Sequence, residues 1–203
     1  YTGYWIKANA KNLEKSLDIV SDMYLNPVFG LEEIEKERGV IIEELNMYRD
    51  TPARHVVDLF MNALYGDQPA GWDSGGNKEI INALKREDFL KYREAHYLAN
   101  STLVVVAGAF DEVETLAKIK TYFLDIKTGV KSQKIKTIEN QNKPVALVQF
   151  KESDQSHLVL GVRAFDIFDD RRFVLQVLGD ILGGSMSSRL FQKVRTEMGA
   201  AYY

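Results

Sequence analysis

Residues 34–49 read IEKERGVIIEELNMYR, and the spacing inside this stretch decides what element it builds and which face that element buries. At about 100° per residue, Ile34, Ile41, Leu45 and Tyr48 fall on one side of a helix. Glu37 and Glu44 are seven residues apart, so they stack two turns from each other on the flank of that apolar stripe. Glu43 points roughly the opposite way, towards solvent. A carboxylate beside a buried face is costly unless it is paired, hydrogen-bonded or bound to a metal. From this helix alone two readings stand side by side. Either the glutamates meet nearby lysines or arginines along a helix edge, or they face a metal.

Working outward, residues 12–25 carry Leu13, Leu17, Val20 and Tyr24 at helical spacing, and Asn26-Pro27 stops that helix. The helix holding Glu37 and Glu44 extends from about 31 to 49, with Pro52 at its end. Further helices are expected over 53–64, over 78–97 in two pieces, and from the Asp111 cap to about 124. Residues 66–76 form a loop with four glycines and a proline. Residues 2–8 (TGYWIKA) and 101–110 (STLVVVAGAF) read as strands, as do 144–151 and 156–164, the last two as a hairpin or near neighbours. Helices follow over 170–182 and 187–198, separated by Gly183-Gly184, and a strand begins near Ala200. This mixture predicts an α+β fold of helices packed on a mainly antiparallel sheet. Residues 127–143, polar and rich in lysine, read as an interdomain linker.

The bulk numbers narrow the function classes. The chain has 203 residues, a formal net charge of −3 from 26 basic and 29 acidic residues, and no cysteine. The near balance of charge argues against a nucleic-acid or anionic-membrane partner. With no cysteine there is no thiol nucleophile and no thiolate metal site. No apolar run approaches the roughly 20 residues that span a bilayer.

A second informative stretch is 181–202, ILGGSMSSRLFQKVRTEMGAAY. Two glycines break one helix, and Ser185, Ser187 or Ser188 can cap the next. Arg195 lies late in that helix and Tyr202 follows the Gly199 turn. Taken alone, Arg195 is a cation facing the C-terminal end of a helix dipole and Tyr202 a half-buried strand aromatic.

The two stretches together, with the segments between them, resemble the M16 zinc peptidases: pitrilysin, insulin-degrading enzyme, the mitochondrial processing peptidase and their bacterial relatives. The matching residues are EKERGVIIEE (35–44), MYRDTP (47–52), His96-Tyr97 through Asn100, Val106-Ala107-Gly108, GGSMSSRLF (183–191), Arg195, Gly199 and Tyr202. The resemblance covers essentially the whole chain. It implies an M16-like α/β sandwich, with 1–126 the later part of a zinc-binding domain, 127–143 the linker and 144–203 the start of a second, similar domain.

The resemblance further implies a zinc-dependent endopeptidase acting on extended peptides. In the family an inverted His-x-x-Glu-His motif supplies two ligands and the general base. Glu44 matches the third protein ligand, and Glu37 matches a second glutamate near the metal with a supporting part in catalysis. Arg195 and Tyr202 match a pair that hydrogen-bonds substrate carbonyls across the cleft. The histidines of this chain are His55, His96 and His157, and none lies in the inverted motif. By the family order that motif precedes Tyr1, so the chain is expected to be an internal piece, inactive by itself and without a tight zinc site. The competing reading is a non-catalytic M16-like subunit with a structural or substrate-binding part. A peptide is the expected partner, with a homodimer or a second M16 subunit as the expected assemblies. The family occurs in bacterial cytoplasm, periplasm and organelles, and the cytoplasm is the leading expectation.

Overall fold

The computed structural model describes residues 1–202. It divides into two units, Tyr1–His157 and a second beginning at Leu158. In the first unit, α1 (Leu13–Leu25), α2 (Leu31–Arg49) and α3 (Pro52–Tyr65) follow one another, then α4 (Lys78–Ala83), α5 (Arg86–His96) and α6 (Glu112–Tyr122). The apolar spacing accounts for these helices, and side chains close their ends. The Asp111 carboxylate accepts from the Glu114 backbone N–H at 2.8 Å, and Asn77 accepts from Ile80 at the same distance. Pro52 occupies the first turn of α3, where its missing N–H costs nothing. Gly66 ends α3 at φ 68°, ψ −154°, a conformation essentially confined to glycine.

α1 packs on α6, and α2 packs on α3 and α4. Leu17, Leu45 and Leu98 are the buried apolar side chains among the described residues. Leu17 belongs to the α1–α6 layer, where Lys118 of α6 meets Glu14 of α1 at 2.8 Å. Tyr24, Tyr97 and Phe123 form an aromatic cluster beside it, with ring centroids 5.0 and 6.3 Å from Tyr24. Burial first, and then the Tyr4 hydroxyl, hold the Tyr97 phenol well above its ordinary titration range.

The expected α+β architecture is not what the chain forms. Among the described residues there is no β-strand, and the regular elements are helices. Of the expected strands, 2–8, 144–151 and 156–164 lie outside regular elements, 101–110 opens on the last residue of a 3-10 turn (Ala99–Ser101) and is otherwise irregular, and the residues around Ala200 likewise carry no strand. The physical reason is that β-rich composition favours an extended backbone, whereas a strand exists only where a neighbour completes its ladder of hydrogen bonds. Residues 2–8 and 101–110 line one cavity of about 530 Å³ without pairing to each other.

The lysine-rich stretch after α6 is tied to the first unit by side chains. Gln68 accepts from the Ile138 N–H at 2.7 Å and donates to the Ile138 carbonyl at 3.1 Å, so one amide side chain serves both backbone groups. Further along, Lys151 donates to the Arg49 carbonyl and to Asp50, each at 2.9 Å.

In the second unit α7 (Arg171–Gly179) runs directly into a π-helical turn, Asp180–Gly184, which contains the glycine pair. A helix begins again at 189 and continues as a π-helical segment, Phe191–Glu197.

Candidate functional site

α2 displays the predicted face. Leu45 is buried and Ile34, Ile41 and Tyr48 are half-buried, while Glu37 and Glu44 are exposed on its flank. Seven residues of helix separate the two carboxylates by about 10.5 Å along the axis. Neither glutamate forms an ion pair among the described residues. Glu44 is instead hydrogen-bonded within its own helix: the Tyr48 hydroxyl, one turn on, donates to Oε1 at 3.1 Å. Glu37 borders a groove of about 710 Å³ whose walls include Phe29, Ile34, Ile41, Leu84 and Phe89.

Arg38, next to Glu37, is a residue that the sequence pattern did not single out. Its side chain is only 15% exposed. The guanidinium donates to the Ile81 carbonyl, to the Leu84 carbonyl at 2.9 Å, and to Glu35 at 2.9 and 3.1 Å. It thereby satisfies carbonyls at the end of α4, which a short helix leaves without partners. Arg38 shares the Ile34–Ile41 side of α2, so an arginine inside an apolar stripe was the available signal. The hydrogen bond from Arg38 holds the Glu35 carboxyl below its usual range.

Arg54 of α3 is a second residue that spacing alone did not reveal. Its guanidinium carbon lies 4.0 Å from the centroid of the Tyr48 ring. The link is one of tertiary structure, because α2 ends at Arg49 and α3 begins at Pro52.

In the second unit the structure brings Arg195 and Tyr202 together. The Arg195 guanidinium carbon is 4.8 Å from the Phe191 ring centroid and 5.5 Å from that of Tyr202. Tyr202 is 83% exposed, so its hydroxyl is available to an incoming group. The segment that carries Arg195 is π-helical, a geometry that is rare and recurs at functional sites. Arg195 thus lies in the last turn of its helical segment, as a helix-end cation does, with two aromatic rings beside its guanidinium.

The donor chemistry tests how zinc fits these residues. Glu44 offers a carboxylate of the kind zinc accepts, and its Oε2 has no hydrogen-bond partner among the described residues. Three or more metal-binding side chains are needed around one ion, and no group of three or more His, Asp or Glu among the described residues could hold one. A carboxylate such as that of Glu44 could serve as one ligand, and the described residues do not complete a zinc site. No helix among the described residues is long and apolar enough to cross a membrane.

Comparison with known proteins places this geometry. Residues 1–74 match the family described as insulinase (peptidase family M16), and residues 83–203 match the peptidase M16 inactive domain. A Bacillus subtilis protein described as an uncharacterized zinc protease is 32% identical over 202 residues, which cover 100% of this chain and 49% of that protein. A Mycobacterium leprae protein of the same description is 33% identical over 205 residues, covering 100% of this chain and 46% of its own. The chain spans about half the length of the curated relatives it matches. Among solved structures, a protease from Helicobacter pylori superposes with a TM-score of 0.77 at 21% identity, over 94% of this chain and 47% of that one. A peptidase M16 inactive domain from Pseudomonas fluorescens gives 0.72 at 15% identity, over 93% and 46%. At such identities the structural likeness is one of fold, and the backbone follows that fold with helices as its regular elements. One family match alone spans more than half of the sequence, and the chain belongs to the M16 peptidase family.

Proposed function

We propose that this chain is part of a zinc-dependent endopeptidase that hydrolyses extended peptides. The observation that carries the reading is the carboxylate of Glu44, exposed on the flank of α2 and oriented by the Tyr48 hydroxyl, within the stretch that matches the insulinase family. In the complete protein Glu44 supplies one ligand to zinc, and the remaining ligands come from outside these residues. Bound zinc would polarise a peptide carbonyl and acidify a water molecule. Glu37 stands two turns earlier on the same flank and supports the site by orienting a neighbouring ligand. Arg195 and Tyr202 donate hydrogen bonds to substrate carbonyl oxygens, for which a guanidinium and a phenol are suited. Residues 1–126 are assigned to the zinc-binding domain, 127–143 to the connection and 144–203 to the start of the second domain.

A non-catalytic subunit is the second reading. It is favoured by the match of residues 83–203 to a domain described as inactive. Zinc content separates the two. In the full-length protein, Glu44→Gln is expected to lower zinc affinity strongly, and Glu37→Gln to lower it by the roughly 10- to 100-fold that outer-shell changes cause. Stoichiometric zinc measured in the wild type by atomic absorption, together with its loss in Glu44→Gln, supports the peptidase. Zinc content indifferent to Glu44 removes it from the ligand set.

A further inference from the structure

The groove bordered by Glu37 has walls that are fastened to one another by two arginines. Arg38 reaches from α2 to the carbonyls of Ile81 and Leu84 and ties the end of α4 to α2. Arg86, in the first turn of α5, donates through Nε to the Phe29 carbonyl at 2.9 Å and through Nη2 to the Val28 carbonyl at 3.2 Å. Those bonds tie α5 to the segment that leads into α2. The rings of Phe29 and Phe89 stack, with centroids 5.8 Å apart and planes at 27°. Phe29 holds a φ of 49°, a left-handed conformation that a bulky residue keeps only where its surroundings impose it, and one that recurs at ligand clamps. Walls held in this way are ordered in advance, which lowers the cost of binding.

The groove encloses about 710 Å³, a size that suits a small organic ligand. Its apolar walls are Phe29, Ile34, Ile41, Ile81, Leu84 and Phe89, each half-buried. Its charged members are Glu33, Glu37 and Arg38. Arg38 is committed to the two carbonyls and to Glu35. Glu33 folds its carboxylate back over Gly30 at the start of α2, where the positive end of the helix dipole favours it. Glu37 has no ion pair or hydrogen bond among the described residues, so it is the charge of this lining left without an answer. We propose that the groove binds a small organic cation of the arylalkylamine class. The ring lies against Phe29 and Phe89, the alkyl body runs along the aliphatic walls, and the ammonium meets the Glu37 carboxylate. A neutral ligand of the same shape forgoes the ion pair. An anionic one meets Glu37 with no free cation to offset the repulsion.

The experiment is a ligand-observed NMR titration of the full-length protein with phenylbutylamine, phenylbutanol and phenylbutyrate, which share a ring and a butyl chain and differ in charge. A metal chelator is present throughout, so the outcome is independent of the reading of Glu44. The amine is expected to bind tightest, by roughly 5-fold over the alcohol, the upper end for an exposed ion pair, and the carboxylate weakest. Glu37→Gln is expected to abolish the advantage of the amine and leave the alcohol unchanged. Ile41→Ala is expected to weaken all three probes together, because it removes wall that each of them touches. Glu37 is exposed, so its variant carries the test if Ile41→Ala does not fold. Equal binding of the three probes overturns the proposal, as does an amine preference that survives Glu37→Gln or affinities that ignore Ile41→Ala. Binding by none of them shows that further chain covers the groove, and overturns it as well.

Discussion

Arg195 illustrates what the structure adds to a residue read from sequence. Its place near a helix end suggests a cation answering the helix dipole, and the structure keeps it in the last turn and sets the rings of Phe191 and Tyr202 beside its guanidinium. A guanidinium fixed in this way loses less freedom when it meets a carbonyl oxygen, which suits it to a substrate contact. In a full-length protein, Arg195→Ala or Tyr202→Phe is expected to lower peptide turnover by roughly 10²–10³ with zinc content unchanged, as loss of one donor to a developing negative charge does. Steady-state kinetics beside metal analysis checks this, and full activity in both variants would remove the pair from the mechanism. Arg38 makes the opposite case, a charged residue whose work is structural. Its guanidinium serves the carbonyls of Ile81 and Leu84 from a side chain only 15% exposed. Arg38→Met keeps the length of the side chain, leaves those half-buried acceptors without their partner and is expected to lower the urea midpoint. A urea midpoint that does not move in Arg38→Met would show that water replaces the guanidinium at no cost.

At the scale of elements, the expected helices formed and the expected sheet did not, for one physical reason. A helix closes its hydrogen bonds within its own segment, so Leu13, Leu17 and Tyr24 suffice to announce α1, and Ile34, Ile41 and Leu45 to announce α2. A strand depends on a partner elsewhere in the chain. The run Leu103-Val104-Val105-Val106 has strand composition, and the structure leaves it without a ladder. The site divides in the same way. Glu37 and Glu44 came from periodicity together with family resemblance, and Tyr48 could have been found as their one-turn neighbour. The Arg54 contact depends on how α2 turns into α3, which no spacing rule encodes. The α1–α6 layer yields a pH prediction. Hydrogen bonds from Lys118 to Glu114 first, and then to Glu14, raise the lysine above its ordinary value. A raised folded-state pKa means that the contribution is fully present below the unfolded value of about 10.4 and is lost as pH climbs through the folded value. The gap in thermal midpoint between wild type and Lys118→Met is therefore expected to be steady from pH 7 to 9 and smaller at pH 11. A gap that widens at pH 11 would contradict the assignment. Because Lys118 is 29% exposed, added salt should narrow the gap as well.

For the whole molecule the governing quantity is surface. The accessible area is 16893 Å² for a mass of 23.1 kDa. A compact monomer of that mass exposes about 9,700 Å², so apolar faces that would ordinarily be covered lie open here. Leu158, Leu160 and Val162 are 88, 92 and 83% exposed, and they alternate along a segment whose pattern is that of a face meant for burial. Val148 and Phe150 repeat the pattern at 92 and 89%. Unpaired backbone next to apolar side chains recruits further chain. The relatives are about twice as long as this chain, and a protein of that length would have further chain to lay over such faces, whereas a solution of the 203-residue chain has only other copies of itself. The isolated chain is therefore expected to self-associate, giving a light-scattering mass well above 23.1 kDa that grows with concentration, and to bind a dye that reports exposed apolar surface. The full-length protein is expected to bind little of the dye, because the same side chains are then inside. A concentration-independent monomer that unfolds cooperatively and ignores the dye would show that these residues find cover within the chain itself. An associated full-length protein with equal dye binding would show that the open faces are an interface between copies rather than a buried core.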